Sequence, residues 1–285
     1  MRKVLTWPFT KLCRLNFLAM KKFSIALGIF IVAASAQAQD RSFAYTYTTN
    51  ILPKGAIDLE LWHTSRIGHR DQFFHGLDQR LEAEVGLGKN WQTAFYFNRF
   101  QKRFSTGANG TETSSEIGFS NEWKVKLADP ERNKIGFALY GEWGIKGGDE
   151  LELETKAILD KSFGKNLIAL NIVGEHEREF DWKEGSTISE KENAIELDLG
   201  YMYNVSTNLG FGLELRNHNE IKDGEWEHSA LFAGPTINFR GDRWFVIANV
   251  LPQLRNLRKT DEAPYNKVLD EHEKVEARVL IGISF

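Results

Sequence analysis

Cysteine is nearly absent from this chain: Cys13 is the only one, and it lies ahead of a segment with the features of a removable leader. Met20-Lys21-Lys22, the apolar run from Phe23 to Ala34, and Ala36-Gln37-Ala38 supply the basic, hydrophobic and small-residue parts of a secretory signal peptide. The expected signal covers residues 1–38, with Met20 as the expected true start. Thr10-Lys11-Leu12-Cys13 lacks the small residues of a lipoprotein site. The remaining chain therefore excludes disulfides, thiol catalysis and cysteine-zinc centres. Beyond the leader no apolar run reaches the roughly 18–20 residues that a membrane-spanning helix needs. Positive charge is also scarce. Residues 1–38 carry six basic residues and no acid, so the rest holds 30 basic against 39 acidic residues, a balance of −9. That argues against nucleic acid as a partner. No Pro- or Ser-rich linker divides the chain, which predicts one domain.

What the chain does have is period-two alternation. Twelve segments show it, at 56–66, 77–87, 90–100, 113–127, 134–145, 150–163, 166–178, 192–204, 208–218, 228–239, 243–253 and 272–285. In the second, Leu81, Ala83, Val85 and Leu87 alternate with Arg80, Glu82, Glu84 and Gly86. In the eighth, Ile195, Leu197, Leu199 and Tyr201 alternate with Glu196, Asp198, Gly200 and Met202. Such alternation puts the two sets on opposite faces of a strand. Without a spanning helix, a membrane protein must close its strands into a barrel, because only helices and barrels satisfy every backbone group in lipid. Segments of about ten residues fit that requirement. Pro235 on the apolar face of the tenth segment predicts a bulge or weakened pairing there.

The connections alternate in length. Gly88-Lys89, 128–133, Gly164-Lys165, 205–207 and 240–242 are short, while 67–76, 101–112, 179–191, 219–227 and 254–271 are long and polar; only 146–149 is short where a long one is due. This is the pattern of a bacterial up-and-down barrel with turns in the periplasm. Both termini are then expected on the turn side, with 39–55 as a periplasmic lead-in to a barrel over 56–285. Phe43, Tyr45 and Tyr47 could instead form a thirteenth strand or a plug. Trp91, Phe163, Tyr203, Phe239, Trp244 and Phe285 fall at the turn side of their segments; Trp62, Phe97, Phe119 and Trp143 fall toward the long loops. Two aromatic belts at the lipid–water interfaces are expected from them.

With apolar residues facing lipid, the other parity faces the lumen. That face carries Arg80, Glu82, Glu84, Glu142, Glu152, Glu154, Lys156, Glu196, Asp198, Glu214, Arg216, Glu276 and Arg278. Two roles stay open for these charges. They form a selectivity zone for cations or small polar solutes, or they pair to brace and fill the interior without conduction. A twelve-strand barrel has a backbone radius of roughly 12 Å, so any water path is narrow. No catalytic constellation stands out. His228-Ser229 are sequence neighbours and point to opposite faces, and His63 and Ser65 share a face with Glu60 on the other parity. His63, His69 and His75 are six apart, and His218 and His228 flank a loop; none has the close spacing of a metal motif. No catalytic residue, metal or cofactor is expected. Gly86-Leu87-Gly88 ends a strand rather than cradling a phosphate.

The final segment, Val275 to Phe285, is amphipathic except for Leu280 and ends in an aromatic. It resembles the assembly signal of bacterial outer-membrane β-barrels, with Phe285 as the terminal recognition residue. Leu52-Pro53-Lys54-Gly55 with Asp58-Leu59-Glu60-Leu61-Trp62, and then Arg80 to Leu87, resemble uncharacterised porin-like outer-membrane barrels of Gram-negative bacteria. That resemblance implies an all-β, transmembrane antiparallel up-and-down β-barrel of about 12 strands in the cell outer membrane. It implies outer-membrane lipid, lipopolysaccharide and the barrel-assembly machinery as partners, and transfers no catalytic residue. The expected activity is a monomeric, narrow passive channel for small polar or hydrophobic solutes. A lipid-modifying hydrolase and a non-conducting structural or adhesion barrel are the alternatives.

Overall fold

A computed structural model describes residues 41–106, 110–181, 187–222, 224–261 and 263–285. The expected signal peptide, Cys13 and Met20 lie outside them. Twelve strands follow one another: β1 (Ile57–Ile67), β2 (Phe74–Gly88), β3 (Trp91–Ser105), β4 (Thr111–Ala128), β5 (Gly136–Lys146), β6 (Glu150–Phe163), β7 (Asn166–Asp181), β8 (Thr187–Asn204), β9 (Leu209–Lys222), β10 (Glu225–Arg240), β11 (Trp244–Asn256) and β12 (Val275–Ser284). Each pairs antiparallel with its sequence neighbours, and β1 closes on β12 from Asp58↔Ser284 to Ile67↔Val275. Closure leaves no unpaired sheet edge, the condition for backbone to lie in lipid.

Alternation determines which side chains point outward. On β8, Ile195, Leu197, Leu199, Tyr201 and Tyr203 are exposed, while Glu196, Asp198 and Met202 are buried. On β1, Ile57, Leu59 and Leu61 are exposed and Asp58, Glu60 and Trp62 are buried. The barrel is apolar outside and polar within, the reverse of a water-soluble domain. Eight residue steps from Ile195 to Tyr203 give an apolar wall of roughly 20 Å at the rise and tilt of barrel strands, near the ~25 Å band of such proteins. Leu280, the parity exception in the last strand, is fully buried in the interior beside Trp62, Phe245 and Ile247.

Three expectations are corrected. The long loops are mostly strand: β1–β2, β3–β4, β7–β8 and β9–β10 are joined only by 68–73, 106–110, 182–186 and 223–224. Pairing continues among polar residues, as in Lys102↔Ser114, Arg103↔Thr113 and Glu192↔Lys222. Above the apolar wall both strand faces carry many polar residues, so the alternation fades while the backbone ladder persists. Only 257–274, between β11 and β12, is long. Trp62 is not in a belt; it lies inside, 4% exposed, with its indole N–H donated to Glu60. Trp91, Phe163, Tyr203, Phe239 and Trp244 are exposed at the turn end, as are Phe97 and Trp143 nearer the loop end. Phe119 joins Phe97 and Trp143 edge to face, at centroid distances of 5.6 and 6.0 Å.

The third correction concerns the segment before β1. Residues 41–49 form no strand and are all buried inside the barrel, where the sequence placed a lead-in outside it. The plug alternative describes their position. Gly200 makes room for them: a Cβ there would meet the Phe43 ring at 2.8 Å. The β10–β11 register shifts between Leu231 and Phe232 and has no pairs over 233–235 before resuming at Thr236↔Asn249, while Pro235 stays opposite Leu213 of β9. Proline cannot donate to the ladder, consistent with the gap that includes it.

Candidate functional site

The lumen has two unlike halves. In the turn-side half, the chain enters at Arg41, rises to mid-barrel at Tyr45–Tyr47, and returns to the start of β1. The wall holds its backbone on several sides. Asn238 of β10 donates to the Arg41 carbonyl at 2.6 Å. Glu214 of β9 accepts from the amides of Ala44, Tyr45 and Thr46 at 3.0, 2.7 and 3.0 Å. Asn171 of β7 both accepts from the Tyr47 amide and donates to its carbonyl. Asp160 of β6 accepts from the Thr49 amide and hydroxyl, and Gln92 of β3 from the Leu52 amide. An irregular segment enclosed by protein must satisfy its backbone with side chains, and these inward polar residues do so.

Most charged groups in this half are sealed from solvent and held by protein partners, although both Glu82 oxygens are buried without a hydrogen bond among the described residues. Arg41 is 3.3 Å from Glu60 and lies over the Tyr47 and Trp62 rings at 4.4 and 4.1 Å. Lys124 donates to the Asn50 carbonyl. Glu122 accepts a short bond from Tyr96, and Glu84 one from Gln92. Arg278 donates to the Ala44 carbonyl and to Thr64 while stacking on Tyr45 at 3.5 Å.

Above Tyr45, Tyr47 and Trp62 is a cavity of about 720 Å³ reaching the loop end. Its charges are largely sorted by strand, with Asp78 of β2, Lys146 of β5, Lys156 of β6 and Arg216 of β9 as exceptions. Glu152 and Glu154 of β6, Glu175 and Glu177 of β7, and Glu192, Glu196 and Asp198 of β8 form an acidic arc. Arg278 of β12, Arg66 of β1, Arg80 of β2 and Lys102 of β3 form a basic arc. β7 and β1 lie six strands apart in a ring of twelve, so the arcs face each other and set a field across the cavity. Internal pairs tie each arc down: Arg216 to Glu196 at 2.7 Å and Glu276 at 3.1 Å, Lys156 to Glu154 at 2.9 Å, and Arg80 to Glu142 at 3.4 Å.

The lumen residues expected from parity all point inward, but they separate into two groups. Arg80, Glu152, Glu154, Lys156, Glu196, Asp198, Arg216 and Arg278 line the cavity. Glu82, Glu84 and Glu214 are buried in the wall around the segment, and Glu142 and Glu276 lie behind the arginines they pair with. Parity reasoning missed Arg66, Lys102, Lys146, Glu175, Glu177 and Glu192. Lys102 and Lys146 sit in stretches taken for connections (101–112 and 146–149), while Arg66, Glu175, Glu177 and Glu192 lie within the alternating segments and continuing their inward parity to the segment ends would have found them.

The connection 257–274 covers part of the cavity mouth. Arg70 clasps Asp270 at 3.0 Å, and Gln253 holds the Val268 carbonyl and amide. His272 descends from this connection into the lumen, with its ring nitrogen 2.8 Å from that of His228. Burial first, and then His218 and His228, hold the His272 imidazole well below its ordinary range, so it is neutral. Ser65 and His75 approach to 3.5 Å on the outer wall, the outer limit of a hydrogen bond. His63, on the same face as Ser65, is not what approaches it.

Residues 35–285 match a protein family described as a family of unknown function, DUF6662. The chain belongs to that family. Among solved structures, this DUF6662 barrel is similar to the COG4313 outer membrane channel of Pseudomonas putida F1, at TM-score 0.59 and 13% identity over 85% of this chain and 98% of that one. It is also similar to the translocator domain of the autotransporter NalP from Neisseria meningitidis, at TM-score 0.57 and 10% identity over 94% and 95%. Identities this low show a shared outer-membrane barrel fold. No curated protein matches the DUF6662 chain.

Proposed function

We propose that this protein is a narrow passive channel of the outer membrane for small polar solutes, with a preference for cations. The observation that carries this reading is the loop-end cavity and its charge. Among the described residues lining it, eleven are acidic and seven are lysine or arginine, so cations are favoured inside. The likeness to the Pseudomonas putida channel supports the same class. A solute would then have to pass residues 41–52, which fill the turn-side half, with the rings of Tyr45 and Tyr47 lining the cavity above them. On this reading the short turns face the periplasm and 257–274 faces lipopolysaccharide, the arrangement usual for bacterial barrels. In this reading the last strand and Phe285 present the protein to the assembly machinery.

Planar bilayers test the proposal. Folded protein, verified by its heat-modifiable migration on a detergent gel, is expected to give discrete single-channel steps. In a salt gradient, the reversal potential is expected to shift toward that of the cation. Folded protein that inserts and gives no steps overturns the channel reading.

A further inference from the structure

The four residues His218, Glu220, His228 and His272 come from three places in the chain and converge at the loop end of the lumen. Each offers a ligand atom, and these atoms lie within 4.8 Å of one another. His218 and Glu220 share the inward face of β9, two residues apart. A register shift between Trp226 and His228 sets His228 opposite Glu220 on β10, and bulges commonly re-aim a side chain in this way. His272 arrives from the long connection, with its ring centroid 5.0 Å from that of His218 and 4.8 Å from that of His228.

We infer that these four side chains bind one divalent transition-metal ion of the zinc class and thereby pin the connection 257–274 to the barrel wall. Three imidazoles and a carboxylate are the donors such ions prefer, whereas magnesium and calcium take oxygen ligands. His228 Nε2 stands 2.8 Å from His272 Nε2 and 3.4 Å from a Glu220 oxygen. Tetrahedral zinc sets its ligand atoms about 3.3 Å apart, so small side-chain rotations close the set. The shell behind the ligands is also present. Glu196 accepts from His218 Nδ1 at 3.0 Å, which leaves Nε2 as the ligating nitrogen, and Glu196 is itself held by Arg216 at 2.7 Å. A carboxylate behind a ligating histidine is the usual means of fixing its tautomer and orientation. The other way to place two ring nitrogens 2.8 Å apart is a neutral hydrogen bond between them, and the experiment separates the two.

The full chain is folded in detergent, stripped with chelator and titrated with Zn²⁺ by calorimetry and with Co²⁺ by its visible d–d absorption. The expected result is one ion per chain, not displaced by Mg²⁺. His272→Ala, which lies outside the strand ladder, should weaken binding by more than about 100-fold, and Glu196→Gln by about tenfold, within the span usual for an outer-shell partner. Bound Zn²⁺ should also slow tryptic cleavage after Arg258, Lys259 and Lys267 in the intact barrel. Sub-stoichiometric binding, or affinity unchanged in His272→Ala or in the His218→Ala/His228→Ala/His272→Ala variant, overturns the site and leaves the hydrogen-bonded histidine pair. Binding with unchanged proteolysis overturns the pinning.

Discussion

Arg41 and Arg66 face the same lumen, yet their surroundings differ. Arg41 at the turn end is 5% exposed and is held by Glu60, Tyr47 and Trp62. Arg66 at the loop end is 38% exposed, 3.1 Å from Asp78 and 3.9 Å from Glu276. Both halves are built from one inward parity and the same residue types. The difference is the chain segment 41–52, which covers the lower charges and stops at Tyr45–Tyr47. Below that level charge is structural, and breaking a pair strands its partner in a dry interior. Above it, charge faces the open cavity.

Substitutions can break this contrast, and the largest effect is expected where one residue holds the segment. Glu214→Ala leaves three backbone amides without their acceptor, at a cost of about 3 kcal/mol or more. Urea unfolding in lipid vesicles should show that loss, along with protease access to residues 41–55. Next is the outer wall that both halves share: Leu199→Arg should cost about 2–4 kcal/mol in the same measurement, the penalty for a charge near mid-membrane. Unchanged stability would deny Leu199 its place against lipid. Gly200→Ala forces a Cβ against the Phe43 ring and should cost about 1–3 kcal/mol. That cost should shrink in a Phe43→Ala background, because the clash is between those two groups.

The smallest effect belongs to the upper half. Replacing Glu152, Glu175 and Glu177 together with glutamine should leave folding intact and reduce cation over anion permeability by about fivefold or more. That scale is the ~1 kcal/mol that a single charge exerts on an ion at about 4 Å in water. Reversal potentials provide the measurement, and an unchanged ratio would assign selectivity to another level of the lumen.

The sequence made the barrel visible because lipid imposes period two on every crossing, as Leu81–Leu87 and Ile195–Tyr201 show. It concealed the upper strands because the lipid constraint ends above the wall: Lys102 and Glu220, in stretches taken for loops, continue a ladder without a regular apolar alternation to mark it. Trp62 looked like a belt residue by height alone, although its parity with Glu60 put it inside. Phe43, Tyr45 and Tyr47 alternate like a strand, but the segment 41–52 is held residue by residue by Glu214, Asn171 and Asp160 rather than by a neighbouring strand, which alternation does not encode. The meeting of His218, His228 and His272 depends on a bulge and on the path of an 18-residue connection (257–274), which local spacing does not encode.

The most direct test of the division into a filled and an open half is single-channel conductance of the folded barrel with and without residues 41–50. The account predicts small steps from the full chain and steps several-fold larger once the segment is removed, with cation preference retained because the acidic arc remains. Equal conductance from the two proteins would contradict it.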